Sequence, residues 1–62
     1  GAQARRHESK SLLFLGAALR DAGDPTWDGH VRQAREIASR IGAVPIRDAA
    51  AALLDSGRAA AG

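Results

Sequence analysis

The imidazole, carboxylate and thiol chemistry open to this 62-residue chain rests on two histidines, seven acidic residues and no cysteine. Without cysteine there is no disulfide framework and no thiolate metal site. Asp28 and His30 are the closest approach to a proton relay or a metal pair. Two positions apart on a helix, however, their side chains diverge. His30 falls beside Ile37 at the edge of an apolar stripe, the place of a half-buried boundary residue, and His7 lies in the amino-terminal stretch. No serine stands in a nucleophile-elbow pattern, and no glycine-rich loop is spaced to cradle a phosphate. The sequence therefore predicts no catalytic residue, no metal and no cofactor. The expectation is a binding protein rather than an enzyme.

Binding through charge alone is also weak. Nine cations against seven anions give a net charge of +2, and the pI near 10.5 makes the chain mildly basic without making it a nucleic-acid surface. Hydrophobic residues are 45% of the total, yet 15 of them are alanine, which leaves six Leu, three Ile, two Val, Phe14 and Trp27 to build a core. So few large apolar side chains leave a small domain marginal. A fragment, a homo-oligomer or a partner-dependent module is expected. No apolar run approaches the roughly 20 residues that span a bilayer, so no membrane partner is expected and the location reads as cytoplasmic. Arg5-Arg6 followed by the apolar stretch from Leu12 superficially resembles a secretory leader. Glu8 between them and Arg20-Asp21 immediately after argue against one.

What must position any binding residue is helix, because apolar residues recur with helical period throughout. The first helix is predicted from Ser9 or Ser11, with a serine cap, to Ala22, stopped by Gly23 and Asp24-Pro25. The second follows Thr26 as its cap and ends at Ile41 before Gly42, and the third runs from Pro45 to Gly57. Residues 1–8 then read as a disordered lead-in, 9–57 as a three-helix module and 58–62 as a frayed tail. On the second helix Trp27, Val31, Ala34, Ala38 and Ile41 form the core stripe, with Ile37 on its edge and Trp27 as the main anchor. Opposite it Asp28, Arg32, Glu36 and Arg40 alternate in sign at intervals of four, a solvated ladder. The first helix carries Leu12, Leu15, Leu19 and Ala22 on one stripe but Leu13, Phe14 and Ala17 elsewhere. Apolar on several sides, it needs more than one neighbour.

Shifted by 34 positions, residues 12–23 align without gaps on residues 46–57. Ala17/Ala51, Ala18/Ala52, Leu19/Leu53, Asp21/Asp55 and Gly23/Gly57 are identical, and Leu12/Ile46 and Gly16/Ala50 match in character. This is the period of the tetratricopeptide repeat, and Leu12-x-x-Leu15-Gly16-x-x-Leu19 resembles the signature of that family's first helix, in which a small residue admits the second helix. Ile46-x-x-Ala49-Ala50-x-x-Leu53 is similar to a weakened copy, and Val31 and Ala34 resemble the packing positions of the second helix. The turn between helices is about one residue short of the family pattern, Trp27 stands where a small residue is usual, and the proline comes late. Residues 20–23 and 37–43 also resemble degenerate repeats in the carboxy-terminal half of large actinobacterial ATP-dependent regulators of the LuxR family.

The fold class that follows is all-α, a helix-turn-helix pair plus a terminal helix, tetratricopeptide-like. The resemblance implies a groove for a protein or peptide, with Lys10, Leu13, Ala17 and Arg20 of the first helix and Arg47, Ala51 and Leu54 of the third lining it. Lys10, Arg20 and Arg47 would offer cations to an acidic partner. The rival reading is a DNA-binding helix-turn-helix of a transcription regulator, in which Ile37, Ala38, Ile41 and Gly42 form the first helix and turn and Arg47 meets DNA. Asp48, where an apolar anchor is usual, and the alanines of residues 49–52 count against it.

Overall fold

The computed structural model describes the backbone of residues 2–61 and the side chains of residues 3–57. It is an all-α unit of three helices, α1 Ala2–Asp21, α2 Trp27–Ile41 and α3 Val44–Ala61, with no strand among the described residues. Both α1 and α3 pack chiefly on α2, and they meet each other to a much smaller extent. Among the described residues no helix is long and apolar enough to cross a membrane.

The two turns form where glycine and proline demand them. Gly23 and Gly42 take the left-handed conformation, at φ 78° and 72°. Each closes its helix with an amide reaching five residues back, Asp24 N–H to Leu19 O at 2.9 Å and Ala43 N–H to Ala38 O at 2.8 Å. These are the six-to-one bonds of a Schellman ending, which satisfy carbonyls the helix leaves open.

The expected start of α1 is corrected. The helix begins at Ala2 rather than at Ser9, so the stretch read as a lead-in is helical over the described residues, as its alanine, glutamine and arginine content favours. Arg5 and Glu8 pair across it at 4.0 Å. Ser9 is no cap. It is fully buried, and its hydroxyl donates to Arg6 O at 2.8 Å, one turn back. At the other end α3 runs past the expected stop at Gly57 to Ala61, while the side chains of residues 58–61, like Gly1 and Gly62, lie outside the described residues.

Thr26 precedes α2 but makes no side-chain cap bond. Asp24 organises this turn instead: its Oδ1 accepts the Thr26 backbone N–H at 2.9 Å and the Thr26 hydroxyl at 2.7 Å, an Asx turn. The backbone bond first, and the hydroxyl second, hold the Asp24 carboxyl below the ordinary carboxylate range, with a smaller lowering from His30 and a small opposing effect of desolvation. A carboxyl depressed in the folded state stabilises above its unfolded pKa of about 4 and loses that contribution as pH falls through its lower folded value. Asp24→Ala is therefore expected to melt below the parent at pH 7, with the gap closing on acidification towards about pH 2. Parallel melts at the two pH values check this, and a gap that persists in acid contradicts it.

The core is small and centred on α2. Val31, Ala34, Ile37 and Ala38 are buried, joined by Ala43 and Ala50. Ile37, at 8% exposure against 0% for Val31, Ala34 and Ala38, holds the edge of the stripe as expected, whereas Trp27 and Ile41 are half-buried at its two ends. On the outer face of α2 Asp28–Arg32 at 3.7 Å and Glu36–Arg40 at 2.7 Å form the expected i,i+4 pairs.

Candidate docking face

Gly16 sets how closely α1 approaches α2. A β-carbon there would collide with Val31 Cγ2 and lie 3.1 Å from Trp27 O and 3.3 Å from Val31 N. The backbone of α2 rests directly on this glycine, as the small position of the 12–19 stretch leads one to expect.

The predicted binding residues divide between two ends of the molecule. At one end Lys10 and Leu13 share an open groove of about 380 Å³ with Arg6 and Phe14, closed on the α3 side by Ala43, Pro45 and Ile46. Phe14 is 64% exposed, and the Lys10 ammonium lies 5.9 Å from its ring centroid. Ala17 and Ala51 lie half-buried further along the two helices. At the far end Arg20 is engaged within the fold. Its guanidinium sits 5.4 Å from the Trp27 ring centroid and donates to Ser56 Oγ at 3.0 Å, linking α1 to α3. Leu54 faces a separate hollow, with Trp27, Gly57 and the α2 residues Asp28, Arg32 and Arg35. Arg47 is exposed and leans on its neighbour Asp48 at 3.4 Å.

Sequence reasoning passed over Arg6, Phe14 and Ile46 as groove residues. Arg6 was hidden by the expectation of a lead-in; the signal that finds it is its spacing of four from Lys10, itself four from Phe14, which aligns all three once α1 is extended. Among the described residues no three histidine, aspartate or glutamate side chains converge as a metal site would require. No protein-family model, no curated protein and no solved structure matches this chain.

Proposed function

We propose that this chain is a tetratricopeptide-like docking module that binds a protein or peptide on the face shared by α1 and α3 and carries out no chemistry itself. The observation that supports it most is a repeat of burial that coincides with the repeat of sequence. Across residues 9–21 and 43–55, again 34 apart, buried, half-buried and exposed positions agree everywhere except at Leu13/Arg47. Ser9 and Ala43 are buried alike, as are Gly16 and Ala50. Two helices that present the same face in the same register are what a stacked repeat uses to build a continuous surface. Arg20 reaching Ser56 ties the last turn of α1 to α3.

The test is selection of binders to the full chain from a randomised peptide display library, followed by amide chemical-shift mapping. Shifts clustered on α1 around Lys10, Leu13 and Ala17 and on the facing turns of α3 are expected. A face that selects no peptide, together with duplex DNA shifting the amides from Arg47 onward, points instead to the helix-turn-helix reading.

A further inference from the structure

We infer that the groove at the amino ends of α1 and α3 receives an acidic amphipathic helix of a partner protein, its apolar anchor on Leu13, Phe14 and Ile46 and its carboxylates on Arg6 and Lys10. This rests on the docking reading and adds which end of the face is used and what fits there.

Three observations combine. The groove has an apolar floor that the described residues leave uncovered, with Phe14 the most exposed of the large hydrophobic residues and Leu13 and Ile46 only half-buried. Among the described residues both charged side chains lining it are cations and none is a carboxylate. Glu8, the acidic residue between them in sequence, points to Arg5. An apolar patch edged by one sign of charge selects a partner of the opposite sign, because a like-charged one would desolvate its charges against Arg6 and Lys10.

The spacing then chooses the conformation. Lys10 and Arg6 precede Phe14 by one and two turns, about 6 and 12 Å along the axis at 1.5 Å per residue. A partner helix lying along the groove has the same rise, so carboxylates four and eight residues from its anchor meet both cations. An extended segment is disfavoured for a separate reason. The described residues offer only helices, with no sheet edge, so the amides of an extended chain would lie against side chains without partners, whereas a helix satisfies its own.

The experiment uses two labelled helical peptides of about 20 residues, long enough to hold a helix, with identical apolar stripes and either glutamate or lysine at the flanking positions. Fluorescence anisotropy with the full chain is expected to show the glutamate peptide binding at least about tenfold more tightly, with the advantage shrinking as salt is raised. The exposed double reversal R6E/K10E should invert the preference, and Phe14→Ala should weaken both peptides, with circular dichroism confirming unchanged helicity. Equal binding of the two peptides, or indifference to the reversal, overturns the inference. If library-selected peptides bind but move no amide at Arg6, Lys10 or Phe14, this placement fails while the docking reading stands. If neither those nor the glutamate peptide bind, both fail.

Discussion

Gly16→Val is expected to abolish the cooperative melt of this protein, and Gly16→Ala to lower its stability by about 1 kcal/mol, although alanine is the better helix former by roughly that amount. The sign is decided by what faces the glycine. Trp27 O and Val31 N are backbone atoms of α2's first turns, and a helix backbone cannot rotate aside as a side chain can. A β-carbon must therefore separate the helices, and Val31 and Ala34, both fully buried, lose part of their packing. Overfilling a core costs about 1–3 kcal/mol, so alanine loses more than its propensity returns. Valine adds two methyl groups and its own helix penalty, and a domain this small has only a few kcal/mol to lose. Gly29 supplies the control: it lies within α2 with nothing near its β-position, so Gly29→Ala should stabilise by about 1 kcal/mol. Urea titrations of the three variants decide it. If Gly16→Ala were to gain stability as Gly29→Ala does, the close approach of α1 and α2 would be wrong.

The contrast among the glycines also explains which parts of the fold are legible from sequence. Gly23 and Gly42 each stand at the end of an apolar helical pattern, with a proline two or three residues later. That combination leaves the chain no way to continue the helix, and both residues take positive φ. Gly57 resembles them in sequence, but no proline follows it, and it remains helical inside α3. Its small size serves the Trp27 ring rather than a turn. At the other end of the chain, residues 2–8 carry good helix formers without an apolar period, so periodicity alone gives them no structure; continuity with α1 does. The Thr26 turn departs from the expected cap for a related reason. Thr26 has the chemistry of a cap, but Asp24 claims both of its donors first.

The proposed docking face is legible only as far as helix phase alone decides which residues lie together. Lys10 and Leu13 fall together because they lie on one stretch of one helix, where spacing is geometry. Arg20 and Leu54 depend on where α3 and Trp27 come to rest, which is tertiary information. Once Trp27 lies between α1 and α3, the Arg20 guanidinium has an aromatic face and a serine hydroxyl to occupy it. A cation engaged in this way is a less accessible ligand contact than Lys10, and this concentrates the apolar and charged features at the amino end of the groove.

Trp27 also makes the sharpest test of the packing at the far end. Its indole lies where a β-carbon on Gly57 would be, in collision with Cη2 and 3.6 Å from Cζ3. The ring has little room to yield, since Arg20 stacks on it. Gly57→Ala is accordingly expected to destabilise by about 1 kcal/mol, overpacking outweighing the helix gain. Trp27→Ala removes a large but half-buried ring, so its effect should be about 2–3 kcal/mol, below the roughly 3–5 of a fully buried aromatic. In the Trp27→Ala background the space beside Gly57 is empty, and Gly57→Ala should then stabilise by up to about 1 kcal/mol. The same substitution thus changes sign with its neighbour, a coupling of about 2 kcal/mol in a double-mutant cycle. Chemical denaturation followed by far-ultraviolet circular dichroism measures all four corners of the cycle without relying on tryptophan fluorescence. Additive effects of the two substitutions would mean that the indole does not rest on α3, and the packing of the far end would have to be redrawn.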